Sequence, residues 1–271
     1  MASDLPERTS VLITGSTNPN GGPLSMAKKQ QNPLTVRKGL SANAWTTIAI
    51  AVVAVLVIGG VLIFNQRDST GPGPRVVPAE MLRKPDSNLL TQASNNTVTV
   101  VEFLDYQCPA CESYYQNVTK KLEQDYADRI TFVTRNFPLE IHPLAIAAGK
   151  AAEAAALQGK YHEMYDKLYS GYRAWAVTGD GQTIGNDRSR AQDRFETYAQ
   201  EIGLDLPRFR ADAASPAVQQ RIDRDLADGK QADITGTPMI FVNGTKFAPT
   251  GKAYDAIAEE LRGRIDRALE G

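Results

Sequence analysis

The chain has 271 residues, of which 42% are apolar and 23% charged, with a formal net charge of −1. This is the composition of a globular protein rather than a disordered one, and nothing in it suggests a nucleic-acid binder, which normally shows a strongly basic face. Two cysteines are too few for a disulfide-stapled scaffold, and as close neighbours they close too small a loop to restrain the unfolded chain.

Residues 1–44 are rich in Ser, Asn, Gly, Pro and Lys and carry few large apolar groups. Such a stretch cannot bury enough surface to offset its chain entropy, so a disordered tail is predicted. Residues 45–64, from Trp45 to Phe64, carry no charge and consist mainly of Ala, Val, Ile and Leu. At the helical rise this run spans about 30 Å, the hydrocarbon thickness of a bilayer, and predicts a transmembrane helix. A cleaved signal peptide fits less well. The leader is long, and Phe64-Asn65-Gln66-Arg67 lacks the small residues of a cleavage site.

Lys28, Lys29, Arg37 and Lys38 precede the apolar run, whereas only Arg67 and Arg75 follow closely. The positive-inside rule then puts the N-terminus in the cytoplasm and the C-terminal bulk outside, as in a single-pass cell-membrane protein. Residues 65–87, with Gly71-Pro72-Gly73-Pro74 and Pro78, read as a semi-extended linker.

A globular domain is predicted over residues 88–271. Residues 98–104 are β-branched and apolar and predict a buried strand. A helix is predicted over 109–126 and a second strand over 130–136. A helical block follows, with helices over 144–157, 161–169, 191–202 and from Ser215-Pro216 to about Gly229, and with a loop over 171–188. Ser215 suits an N-cap and Pro216 a first helical turn. Residues 239–242 form a strand, Asn243-Gly244 a hairpin turn, and 246–248 the return strand. Tyr254, Ile257, Ala258, Leu261, Ile265 and Leu269 lie at helical spacing and predict a last helix. Strand–helix–strand, helical block, strand–strand–helix is an α/β layer architecture.

The cysteines stand in Cys108-Pro109-Ala110-Cys111, between a buried strand and a helix. Unpaired N–H groups and the partial positive charge of a helix N-terminus favour a thiolate. Cys108 is therefore the expected attacking sulfur, with a depressed pKa. Cys111, one turn further in, is placed to close a disulfide with Cys108 and to resolve a mixed disulfide. Pro109 at the helix start costs no hydrogen bond. Zinc would need about four ligands. No second cysteine pair exists, and His142 and His162 show no matching spacing, so no metal is expected. The loop histidine His142 is left out of the expected catalytic set.

The segment Phe103-Leu104-Asp105-Tyr106-Gln107-Cys108-Pro109-Ala110-Cys111 resembles the active-site segment of the DsbA family within the thioredoxin superfamily. Gly236-Thr237-Pro238 ahead of an apolar strand resembles the superfamily's cis-proline loop. Asn136-Phe137-Pro138-Leu139 with His142-Pro143 and an Ala-rich helix, and Gln158-Gly159-Lys160-Tyr161, resemble bacterial members. The resemblance covers about residues 88–271. It implies a thioredoxin-like fold with a helical insertion over about 143–229. Pro238 would be the cis-proline that packs on the Cys-x-x-Cys, and Thr237 would present backbone to a substrate strand. Glu102 would be the buried acid that exchanges a proton with Cys111.

The resemblance also implies a function: an extracytoplasmic thiol–disulfide oxidoreductase that oxidises dithiols of exported, unfolded proteins. Its cofactor is the Cys108–Cys111 disulfide alone, and a quinone-linked membrane protein reoxidises it. Reduction or isomerisation by the same site, or a redox-inert peptide-binding module, are the alternatives. Pro109-Ala110 departs from the Pro-His of the best-known members, and Thr237 from the frequent Val. Both positions tune thiolate stability.

Overall fold

The computed structural model describes residues 76–94 and 97–271. The expected tail over 1–44 and membrane segment over 45–64 lie outside the described residues. Among the described residues no helix is long and apolar enough to cross a membrane.

Strand β1 spans Asn88–Thr91, β2 Thr99–Leu104, β3 Thr131–Asn136, β4 Met239–Val242 and β5 Thr245–Lys246. They form one mixed sheet in the order β1-β3-β2-β4-β5. β2 and β3 run parallel, with Glu102 opposite Thr134 and Leu104 opposite Asn136. β4 is antiparallel to β2, with Met239 opposite Phe103. The ends of β2 and β3 and the start of β4 therefore lie at one end of the sheet. The loops leaving or entering there carry Cys108, His142 and Pro238.

Alternation along the strands sorts side chains between two faces. On one face Val100, Phe132, Ile240 and Val242 pack in one cluster with Tyr114, Val118 and Leu122 and with Ala258, Leu261 and Ile265 of the last helix, Tyr254–Glu270. Val101, Phe103, Val133 and Phe241 face the opposite way, onto Val77, Leu82, Phe137 and Ile234.

The helix expected over 109–126 is present but not uniform. Helix α2, Pro109–Tyr114, widens into a π-helical segment, Tyr115–Thr119, before α3, Lys120–Asp125. Between β3 and β4 lies the helical block: α4 Ala145–Ala156, α5 Tyr161–Ser170, α6 Tyr172–Trp175, α7 Arg188–Glu201, α8 Leu206–Ala213 and α9 Pro216–Gln231. The expected loop over 171–188 thus contains α6, whose Trp175 is fully buried. Helix α8 was not expected from the sequence. Its signals are Asp205, whose side chain accepts from the Arg208 N–H, and Pro207 in the first turn. The turn Asn243-Gly244 has both residues at positive φ, +46° and +80°, the geometry that tight hairpins favour. The return strand is shorter than expected.

The linker expected over 65–87 does not extend to residue 87. From Val76 on the chain is packed on the domain, and helix α1 spans Ala79–Leu82. Val77 and Leu82 are buried, and the Val77 N–H donates to Gly244 O at 2.8 Å. The carbonyls of Met81 and Leu82 each accept from Arg135 Nη1 at 2.8 Å. The guanidinium is fully buried and pairs with Asp225 at 2.8 Å and with Asp228. A buried charge left without partners is strongly destabilising, so these carbonyls belong to the domain's own polar accounting.

Candidate active site

Strand β2 ends at Leu104, and four residues later Cys108 is the N-cap of α2, in extended conformation at φ −71° and ψ 122°, with Pro109 in the first turn. The turn is fixed from both ends. Asp105 O accepts from the Cys108 N–H at 3.1 Å, and Asp105 Oδ1 accepts from the Gln107 N–H at 2.7 Å. Gln107 ties the turn to the helical block. Its Nε2 donates to Ala176 O at 2.9 Å and Gly185 O at 2.7 Å, and its Oε1 accepts from the Leu144 N–H at 2.6 Å. Tyr172 donates to Gln107 O at 2.6 Å.

Both thiols are free. Cys108 is 5% exposed and Cys111 fully buried. The Cys108 pKa is lowered to about 6. The largest cause is the hydrogen bond from the Cys111 thiol. Burial opposes it, and the Thr237 hydroxyl and the N–H groups of Cys111 and Ala110 add to it. Helix-start amides therefore contribute as the sequence predicts, but the neighbouring thiol contributes more. Burial, followed by the hydrogen bond and charge of Cys108, pushes the Cys111 thiol well up. One sulfur of the pair ionises readily and the other keeps its proton, which separates an attacking group from a resolving one.

Thr237-Pro238 is a cis peptide. Thr237 O lies 3.5 Å from Cys108 Sγ and accepts from the thiol. The Thr237 hydroxyl is buried and unpartnered while Cys108 is a thiol; against the thiolate it becomes a donor. Pro109 and Ala110 are exposed, and Thr237 and Pro238 are half-buried.

Glu102 is 1% exposed. Its Oε2 accepts from the Thr119 hydroxyl at 3.3 Å, a contact set by the π-helical segment. Burial pushes the Glu102 pKa up to about 8. The Thr119 hydrogen bond pulls it down, and the charges of Glu123 and Cys108 push it further up. Glu102 is in turn among the groups that raise Cys111. The charge of this carboxyl, which ionises near neutrality, is felt by the buried Cys111 thiol.

The structure thus brings Cys108, Cys111, Thr237 and Pro238 to one end of the sheet, with Glu102 within β2 behind them. It adds residues outside the set expected from the sequence: Asp105 and Gln107, which hold the turn, and His142. His142 Nδ1 lies 2.7 Å from Asp105 Oδ2. The sequence placed His142 in a loop beside a recognisable Phe-Pro segment, but nothing local pairs it with Asp105. Among the described residues no group of three or more His, Cys, Asp or Glu side chains is arranged to hold a metal ion.

The family described as thioredoxin matches residues 92–262, more than half of the chain. Among curated proteins, Na(+)/H(+) antiporter NhaA 3 of Salinispora tropica is 34% identical over 163 residues, covering 60% of this chain and 22% of that protein. Na(+)/H(+) antiporter NhaA 1 of Mycolicibacterium vanbaalenii is 33% identical over 210 residues, covering 76% and 31%. The chain therefore spans a third or less of these relatives, and the transport in their names belongs to those longer proteins.

Among solved structures, a thioredoxin-like oxidoreductase from Silicibacter pomeroyi aligns with a TM-score of 0.55 and 24% identity, over 72% of this chain and 99% of its own. Oxidised BdbD from Bacillus subtilis aligns at 0.55 and 20%, over 72% and 99%. At these identities the likeness concerns the fold, a thioredoxin-like α/β domain with a mixed sheet.

Proposed function

This chain belongs to the thioredoxin family, and we propose that it works as a thiol–disulfide oxidoreductase through Cys108 and Cys111. The observation that carries the reading is the division of labour between the two sulfurs. Cys108 ionises near pH 6 at the helix start, and Cys111 sits behind it, buried and protonated.

The cycle follows from that arrangement. Starting from the disulfide, a substrate thiolate attacks Cys108 Sγ, and the bond to Cys111 breaks. Cys111 leaves with the electron pair and takes a proton from Glu102. A second substrate thiolate then attacks the mixed disulfide at the substrate sulfur. The substrate disulfide forms, and Cys108 leaves as its stabilised thiolate. The substrate loses two electrons and the cysteine pair gains them. Thr237 and Pro238 border Cys108, and their backbone offers an extended substrate segment a partner.

The direction proposed is oxidation. A stabilised thiolate favours the reduced form of the protein, which makes its disulfide a stronger oxidant. The substrates proposed are exported, unfolded proteins with free dithiols, in a compartment where disulfides persist. The uncharged run over 45–64 and the basic flank before it support a single-pass membrane anchor with this domain outside the cytoplasm. The reduced pair needs an electron acceptor, and a membrane protein linked to quinone suits an anchored enzyme.

Oxidative refolding of a reduced, multi-disulfide protein by the full chain tests the reading. Turnover is expected for the wild type and none for C108S. Undiminished turnover by C108S would refute the mechanism. Reduction of insulin by a dithiol-charged chain, without oxidative refolding, would reverse the proposed direction.

A further inference from the structure

His142 lies outside the groups that exchange electrons and protons in this cycle, yet its loop, residues 137–144, leaves β3 at the same end of the sheet. The imidazole is 7% exposed and bonds through Nδ1 to Asp105 Oδ2 at 2.7 Å. The carboxylate that holds it is itself fixed. Oδ1 accepts from the Gln107 N–H at 2.7 Å and Oδ2 from the Leu139 N–H at 2.8 Å. The carbonyl of the same Asp105 accepts from the Cys108 N–H at 3.1 Å. One residue therefore links the imidazole to the attacking cysteine. Without the imidazole, that residue would place a lone negative charge near a sulfur that must ionise, and like charges disfavour each other's ionisation. The side chains of Pro109 and Ala110 supply no compensating charge.

We propose that His142, anchored on Asp105, is the positive charge of the cysteine site, a positioning residue that neutralises Asp105 and stabilises the Cys108 thiolate from outside the Cys-x-x-Cys motif. The proposal rests on the reading of Cys108 as the attacking sulfur. The other titratable groups around the pair are Glu102 on β2, whose charge couples to both cysteines, Tyr169 and Tyr172 on the helical-block side, and Glu112 in the first turn of α2. Burial keeps Tyr172 a neutral phenol, and Glu112 adds negative charge, which makes a cation more useful. The Asp105 hydrogen bond raises the His142 pKa, burial opposes it, and the charges of Asp105 and Cys108 raise it further. Coupling between two sites is reciprocal. If the thiolate strengthens the hold of His142 on its proton, protonated His142 stabilises the thiolate by the same factor. Oxidation to the disulfide removes the thiolate charge, so His142 releases its proton more readily in the oxidised state.

The chain has two histidines, so the imidazole resonances of the full chain, labelled at histidine, separate into two sets that H162Q assigns. His142 is expected to titrate higher in the reduced protein than in the disulfide form, by roughly half a unit to one unit. In H142Q the rate of Cys108 alkylation at pH 5 is expected to fall about threefold to tenfold, the same displacement seen from the sulfur. The first measurement needs no variant of His142 and decides the matter if H142Q does not fold. A His142 titration that is identical in both redox states, with dithiol turnover intact, overturns this inference and leaves the oxidoreductase reading standing. A wild-type Cys108 that ionises like free cysteine overturns both.

Discussion

At the residue scale, Cys108 is controlled by contacts that can be removed one at a time. The Thr237 hydroxyl is buried, has no other partner, and favours the thiolate. T237V keeps the shape and removes the donor. A hydrogen bond of this kind is worth about 1 kcal/mol net, so the Cys108 pKa should rise by roughly 0.7 units, read from thiolate absorbance against pH. The low pKa also shapes the reduction potential. Below about pH 6, reducing the disulfide takes up two protons, one per sulfur. Above it, only Cys111 is protonated. The potential should therefore fall with pH at about 59 mV per unit below the Cys108 pKa and about 30 mV per unit above it. Equilibration with glutathione across pH 5–8 would show the break. A single straight line would mean that Cys108 is not ionised separately from Cys111.

At the element scale, the site depends on how closely helices approach the sheet. Helix α9 crosses the face that carries Phe103, and Gly229 makes the approach possible. A Cβ there would lie 2.6 Å from Phe137 Cδ2 and 3.2 Å from Phe103 Cδ1, and both rings are buried. Alanine gains about 1 kcal/mol of helix propensity over glycine, but forcing a methyl group into a packed core costs about 1–3 kcal/mol. G229A should therefore lose stability on balance, seen as a lower denaturant midpoint, with Cys108 reactivity unchanged because the cysteine turn is held from other elements. The π-helical segment serves the site more directly, setting the Thr119 hydroxyl against Glu102.

At the scale of the whole molecule, Glu102 ties proton exchange to stability. Its pKa is about 8 in the fold against an ordinary value of 4.5. The folded chain thus holds a proton that the unfolded chain has released throughout that window. Stability conferred below pH 4.5 is lost as pH rises toward 8, at up to ~1.4 kcal/mol per pH unit. The disulfide form isolates the effect, since neither cysteine then titrates. In that form, where no Cys108 charge raises Glu102, E102Q should gain stability relative to the wild type as pH rises above 4.5, and the gain should level off once the buried carboxyl has ionised. A difference that stays flat with pH would mean that Glu102 ionises normally. In the reduced form Cys108 acts in the opposite sense. Its pKa is depressed from 9 to about 6, so the stability it contributes grows as pH rises through that range and offsets part of the Glu102 loss.

Local order in the sequence determined several parts of this protein. The apolar run of β2, Pro109 one residue into a helix, Ser215-Pro216 at the start of α9 and Asn243-Gly244 at a hairpin are each legible, because each conformation follows from a few adjacent residues. The placement of Cys108 at a helix start belongs to this group, and so does the family resemblance carried by its motif. Only the tertiary structure decided what surrounds the sulfur. Thr237 reaches Cys108 across 129 residues, His142 reaches Asp105 across 37, and the carbonyls of residues 81 and 82 reach the buried Arg135 from a segment whose composition suggested a free linker. The largest cause of the low Cys108 pKa is a neighbouring thiol rather than the helix amides. Burial, ion pairing and proton affinity are set by contacts between residues far apart in the chain, and those contacts exist only once the layers are assembled.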